Sequence, residues 1–326
     1  MRNRTRRQIL SLAAGTLALP AVLRNAYADT YPSRPIHLLV GFPPGGTADI
    51  IARLIGQALG ERLGKTFVVE NRGSAAQQVA AETVVKAAPD GYTLLMVANP
   101  NVINVVINPN VSFSFTKDLA AVGGIASDPA ILVVNPKVPV KTVPELIAYA
   151  KANPGKLNMA SGGVGSTPHL AGELFKMMTG INMLHVPYRG DAPAVTDMLE
   201  GQDQVMFDMV ILAQGHVRSN ELRALAVTSK TPLALFPSLP PIANFVPGYE
   251  AFAWQGLMAP KGTPPEIVNK LNTELNAALA DPKVQKRLAD LGGIPMPLTP
   301  ADFGKLIVNE MQKWDKVIKF ANIKAH

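Results

Sequence analysis

The sequence predicts an α/β protein, with helices layered on mostly parallel strands. Nine short apolar runs of strand length alternate with stretches of helical period, which is the pattern of α/β layers. Twice, a strand passes through a glycine-rich turn into a helix, at residues 37–53 and again at 157–175. Hydrophobic residues make up 48% of 326 and charge is scattered, so the chain has ample core and the length of two ordinary domains.

The first 28 residues read as a separate object. Arg2, Arg4, Arg6 and Arg7 form a basic start, Ile9 to Leu23 a mostly apolar run, and Ala26-Tyr27-Ala28 a cleavage site of the A-x-A type. The run is too short and too interrupted, by Gly15 and Pro20, for a membrane span. Thr5 to Leu10 resembles a twin-arginine export signal, and general secretory export with a basic start fits as well. Cleavage after Ala28 is expected, placing the chain in the periplasm.

His37–Phe42 reads as a buried strand, Pro43–Gly46 as a stiff turn, and Thr47 as the N-cap of a helix with apolar residues at Ile50, Ile51, Leu54, Ile55, Ala58 and Leu59. A helix N-terminus behind two glycines suits an anion, because free N–H groups and a partial positive charge face outward. An ordinary strand-to-helix connection would carry the same residues. No Lys lies in the turn, so it is not a phosphate-binding P-loop. Further strands are expected at 67–71, 92–98, 131–135, 157–161, 184–188, 205–207, 223–228 and 253–258. Thr142-Val-Pro-Glu145 and Thr263-Pro-Pro-Glu266 read as capping boxes, and Asp281-Pro282 and Thr299-Pro300 as further helix starts. Residues 263–320 read as nearly all helix. Leu157 to Phe175 repeats the opening plan, with Thr167 as N-cap and Pro168 first in the helix. Two such turns on facing domains would grip one anion from both sides.

Composition excludes several functions. The net charge is +7, but the leader holds five arginines and no acid, so the remainder has 26 basic against 24 acidic residues and no strong footprint for nucleic acid. With no cysteine there are no disulfides, no thiol catalysis and no lipid-anchored N-terminal Cys. No metal-binding spacing appears, and no cofactor is expected. Ser166, His169 and Asp208 are the right types for a serine hydrolase. However, Ser166 lacks the G-x-S-x-G elbow, and His169 would share the first turn of its helix, so no enzyme is expected.

Eight segments come in an order seen in a known family. They are Tyr31-Pro-Ser-Arg-Pro-Ile36, Phe42-Pro-Pro-Gly-Gly-Thr-Ala-Asp49, Val69-Glu-Asn-Arg72, Pro89-Asp-Gly-Tyr-Thr-Leu-Leu95, Ser161-Gly-Gly-Val-Gly-Ser166, Val186-Pro-Tyr-Arg-Gly190, Leu222-Arg-Ala-Leu-Ala-Val-Thr-Ser229 and Trp254-Gln-Gly-Leu-Met-Ala-Pro260. Across essentially the whole chain after the leader, the sequence resembles the periplasmic substrate-binding proteins of tripartite tricarboxylate transporters, the Bug family. The resemblance implies a type II periplasmic-binding-protein fold, in which two α/β domains close on a ligand cleft between them. Crossings near Asp128–Ile131 and Ala251–Trp254 would give domain one as 30–129 plus 252–326 and domain two as 130–251. The implied ligand is a small carboxylate: a di- or tricarboxylate, an acidic amino acid or an aromatic acid. The implied partners are membrane permease subunits, with a monomeric receptor and no nucleic acid. A ligand-loaded partner of a membrane sensor would use the same cleft.

The resemblance also implies site residues. Phe42, Pro44, Gly45, Gly46 and Thr47 would form the domain-one anion loop, with Asp49 holding the turn, accepting a proton from ligand or water, or stabilising the helix dipole. Ser161, Gly163, Gly165 and Ser166 would form the facing loop. Tyr188 and Asp208 fall at strand ends, where open α/β sheets bind ligands. His169 reads as ligand or as packing, Arg189 as a carboxylate partner or a solvated side chain, and Trp254 as hinge lining or core. Two places depart from the family. Gly73-Ser-Ala-Ala-Gln-Gln78 stands where Pro-Gly-Ala-Gly-Gly is usual, and Gly201-Gln-Asp-Gln204 where Gly-Gln-Val-Asp is common.

Overall fold

The computed structural model describes residues 31–72, 78–108 and 111–324. The expected leader with its cleavage point, and residues 73–77 of the departing loop, lie outside the described residues. In chain order the elements are β1 (Ile36–Val40), α1 (Thr47–Leu63), β2 (Phe67–Asn71), α2 (Val79–Val85), β3 (Thr93–Ala98), α3 (Asn99–Ile107), β4 (Leu119–Val134), α4 (Val143–Ala152) and β5 (Asn158–Ser161). They continue with α5 (Thr167–Thr179), β6 (Leu184–Pro187), α6 (Asp191–Glu200), β7 (Val205–Met209), α7 (Val210–Arg218), β8 (Arg223–Val227) and β9 (Phe252–Pro260). The last are α8 (Pro265–Leu279), α9 (Pro282–Asp290), β10 (Ile294–Pro295) and α10 (Pro300–Phe320).

Two sheets meet on one long strand. From Leu119 to Pro129, β4 pairs with β9; from Ala130 to Val134 it pairs with β7, and from Ile131 with β8. The first sheet runs β2-β1-β3-β9-β4 and the second β6-β5-β7-β4-β8, the same order with the antiparallel strand in the same fourth place. In each of these five-strand sheets four strands run the same way, as expected, and the fourth in order is reversed. Only the β1–β2, β1–β3, β5–β6 and β5–β7 pairs are parallel, because β9 and β4 each insert, reversed, beside a parallel trio. The first twelve residues of β4 escaped the sequence reading, since Leu119 to Ala130 is mostly Ala, Gly and Ser, with little intrinsic strand preference. Their strand is made by pairing.

Helix starts shift by one residue in three places. Gly46, extended at φ −76° and ψ 166°, caps α1, so Thr47 is the first helical residue instead of the cap. Ser166 caps α5, its hydroxyl accepting from the His169 amide at 3.3 Å, and Thr167 moves inside. Thr263 turns its hydroxyl to the Pro260 carbonyl at 2.8 Å, leaving Pro264, held extended before Pro265, as the cap of α8. Thr142, Asp281 and Thr299 cap α4, α9 and α10 with their side chains. The C-terminal region is helical except for β10, which pairs with β4.

α10 belongs to both cores. Phe303 and Ile307 pack with Leu39, Leu95 and Trp254 of the first sheet, whereas Trp314, Val317 and Ile318 pack with Leu132, Phe175 and Phe207 of the second. Between them the buried Glu310 carboxylate accepts from Trp314 Nε1 at 2.8 Å, Asn99 Nδ2 at 3.2 Å and Trp254 Nε1 at 3.3 Å. Trp254 is fully buried core, edge-on to Phe303. Among the described residues no helix is long and apolar enough to cross a membrane.

Candidate functional site

Because β1, β2 and β3 run parallel, their C-terminal ends share one edge of the first sheet; β5, β6 and β7 share one edge of the second. Loops at such edges are where open α/β sheets take ligands. Loop one, Phe42–Gly46, leaves β1 with two prolines and turns at Gly45, whose φ of +81° favours glycine. From Pro43 to Thr47 it is exposed. Among the described residues no side chain caps the first-turn amides of α1, whose N-cap Gly46 and first residue Thr47 are exposed.

Asp49 holds this loop. Its buried carboxylate accepts the Gly45 amide at 2.9 Å, Asn71 Nδ2 at 2.9 Å and Arg53 Nη2 at 3.0 Å. Asn71 Nδ2 also reaches the Phe42 carbonyl at 3.1 Å, tying β2 to the start of the loop. Burial works against the Asp49 charge, but the hydrogen bonds from Arg53, Gly45 and Asn71 outweigh it and hold the carboxyl below its ordinary range.

Loop two, Gly162–Ser166, is built the same way from different chemistry. Gly165 has φ +79°, and its amide donates to His169 Nδ1 at 3.0 Å, four residues on, as Gly45 donates to Asp49. Ser161 Oγ takes the Gly163 amide at 3.2 Å and lies 2.6 Å from His185 Nε2; the His185 and His169 rings stack with centroids 3.7 Å apart. Ser166 N bonds the Gly163 carbonyl at 3.2 Å. The loop-two amides of Gly162, Gly163, Gly165 and Ser166 are thus already hydrogen-bonded, whereas among the described residues no side chain takes those at the start of α1. Gly162 admits no side chain, because a β-carbon there would fall on the Asp191 carboxylate that its amide bonds.

The other expected positions lie around these loops. The Tyr188 amide bonds the Ser161 carbonyl at 2.9 Å, while its hydroxyl meets Asp197 and Asp203, each at 2.6 Å, so the ring braces α6. Asp203, the displaced acid of the departing segment, is buried at this contact. Asp208 is fully buried, and neither carboxylate oxygen has a hydrogen-bond partner among the described residues. Burial first, then the charge of Asp191 beside it, push its carboxyl up to about 7. Arg189 is exposed.

Sequence reasoning missed three participants. Ile107, at the end of α3, would lie 3.5 Å from a β-carbon on Gly165, and Asn104 accepts from Gln78 Nε2 at 3.2 Å, so α3 carries the first sheet to loop two. His185 and Asp191 have no motif to mark them; their positions follow from pairing of β5 with β6. Ser166, His169 and Asp208 are not assembled for hydrolysis, since Ser166 Oγ caps α5 and His169 Nδ1 is taken by Gly165. The Ser161–His185 pair has a suitable distance, but Ser161 is fully buried. No group of three or more His, Asp or Glu among the described residues is placed to hold a metal.

Residues 51–323 match the family described as the tripartite tricarboxylate transporter family receptor. The protein BugT of Bordetella pertussis is 36% identical over 97% of this chain and 98% of its own length. Among solved structures, Rpa4515 of R. palustris with adipate is 37% identical, with a TM-score of 0.72 over 90% of this chain and 99% of that one. MatC of Rhodopseudomonas palustris with bound malate is 30% identical, with a TM-score of 0.68 over 88% and 100%. The chain therefore belongs to the tripartite tricarboxylate transporter receptor family, as a Bug-type periplasmic solute-binding protein with the two-domain type II fold.

Proposed function

We propose that the protein captures a small carboxylate between its two loops and delivers it to a tripartite tricarboxylate-type membrane permease. The observation that carries this is the exposed start of α1, where among the described residues no side chain caps Gly46 and the first-turn amides, behind a loop held by Asp49. Relatives of this chain with adipate and malate support a carboxylate as the ligand class. Charge-assisted hydrogen bonds of about 1.5–3 kcal/mol each, less the cost of ordering ligand and hinge, reach the roughly 8 kcal/mol of micromolar binding.

In this reading the lobes are 30–129 plus 252–326 and 130–251, hinged where β4 changes partners at Pro129 and where β9 begins at Phe252. Loop one grips the carboxylate through amides of Gly46, Thr47 and Ala48. Loop two completes the closed state with the amides of Val164 and Thr167, Asp49, His169 and Tyr188 shaping the loops from behind. A ligand touching both loops favours closure by its extra contacts alone.

A thermal-shift screen of adipate, malate, citrate, glutamate and benzoate tests this. Ligand at one hundred times its dissociation constant should add about 2.7 kcal/mol of stability. A flat response, repeated on protein unfolded and refolded to strip carried-over ligand, would sink the proposal.

A further inference from the structure

A surface cavity of about 800 Å³ opens beside loop two, between the first turns of α5, the start of β6 and the chain after α10. No residue of loop one lines it. Its floor is the stacked pair His169 and His185, with the rings 13° from parallel, together with the buried carboxylate of Glu173. Its rim mixes the exposed apolar side chains Val164, Leu184 and Phe320 with the exposed polar Asn182, Asn322 and Lys324.

The chemistry of the floor selects a ligand. His169 Nδ1 accepts the Gly165 proton, so this ring carries its own proton on Nε2. That N–H stands 3.8 Å from the nearest Glu173 oxygen, too far for a hydrogen bond. Lys176 binds Glu173 at 2.7 Å and neutralises it. Lys324 adds a second ammonium to the lining, leaving two cations against one carboxylate among the described residues. Burial pushes both imidazoles down, His169 to about 3 and His185 to about 4, so they are neutral donors and acceptors near pH 7.

The floor is also the back of loop two. One imidazole holds Gly165 and the other sits on Ser161. A molecule pressing on these rings acts on the loop through one hydrogen bond each. We propose that this cavity is a second binding site, for a small organic anion with an apolar body, and that its occupation alters loop two through the imidazole pair. The coupling rests on loop two forming part of the carboxylate grip; the site itself does not. Coupling of this kind is reciprocal, so an anion in the cavity changes cleft affinity by the same factor as the cleft ligand changes cavity affinity.

The test is an NMR titration of the ¹⁵N-labelled chain with benzoate, with benzamide as the uncharged control. Benzoate should shift the ring nitrogens of His169 and His185 saturably, with the Gly165 amide following the same curve, and benzamide should leave all three unmoved. Leu184→Glu and Lys324→Glu place repelling charge on exposed positions and should each weaken the benzoate response roughly tenfold. Silent rings, or variants that titrate like the parent, overturn the second site. Shifts confined to Gly46 and Thr47 amides with silent rings do so too, while leaving the cleft reading intact. Rings that titrate without Gly165 overturn the coupling.

Discussion

His169 Nδ1 holds the amide of Gly165 at 3.0 Å, as Asp49 holds that of Gly45 at 2.9 Å, each acceptor four residues beyond its glycine. The two loops share a backbone device and differ in the charge behind it. A neutral imidazole serves loop two and a carboxylate held below its ordinary range serves loop one, so each grip weakens only in acid, where its acceptor takes a proton. With a folded pKa of about 3 against an ordinary 6.5, protonation of His169 opposes folding. The stability it contributes is complete above 6.5 and is lost as pH falls from there toward 3. His169→Ala should cost about 1–3 kcal/mol near pH 7, by leaving the Gly165 amide unpaired. Urea melts across the acid range should also show a shallower loss of stability in the variant than in the parent. An equally steep loss would remove His169 from the account.

Gly165 itself offers a second check. A β-branched side chain is strained at φ +79°, and its β-carbon would meet Ile107 at 3.5 Å. Gly165→Val should therefore distort loop two at a cost of about 1–3 kcal/mol and cut carboxylate affinity sharply, with the circular dichroism spectrum preserved. Unchanged affinity by calorimetry would take loop two out of the grip.

The glycine turns were legible because both chemistries are local: a strand, a positive-φ glycine and a helix start lie within ten residues in each case. Roles of the polar residues were not, because they depend on what pairing delivers from afar. Tyr188 lies at a strand end as a ligand contact would, yet its hydroxyl is turned to Asp197 and Asp203 by the packing of α6. The long β4 was half hidden for the same reason, its Ala- and Gly-rich portion becoming a strand only through β9.

Tyr188 leads to a third prediction. A phenol has one proton to donate, yet two carboxylates approach it at 2.6 Å, so the contact is fully hydrogen-bonded only when one of the two is protonated. Asp203 takes that proton the more readily, because burial raises its carboxyl and the charge of Asp197 raises it further, against the lowering hydrogen bonds of Tyr188 and Asn158. A raised folded pKa gives stability that is complete in acid and is lost as pH rises through the folded value. Asp203→Asn replaces the shared proton with an amide donor and should gain stability over the parent as pH rises above the aspartate range, in thermal melts. Tyr188→Phe should lose stability at every pH. An Asp203→Asn variant less stable than the parent at neutral pH would show that no proton is shared.

Asp208 links pH to binding. Its carboxyl titrates at about 7 against an ordinary 3.8, so in the folded chain the proton is favoured throughout that interval. The stability this gives is complete below 3.8 and is lost as pH rises to about 7, at about 1.4 kcal/mol per pH unit. Above that point a buried charge stands beside Asp191, whose carboxyl takes the Gly162 amide of loop two. Negative charge behind an anion grip opposes the ligand, so carboxylate affinity should fall as pH rises through about 7. Asp208→Asn keeps the shape without the charge. The variant should bind with a flatter pH profile by calorimetry, and melt higher than the parent in mild alkali but not in acid. A profile as steep as the parent's would place the titrating group elsewhere, while a flat profile in both proteins would mean that the Asp208 charge is too well screened to reach the ligand.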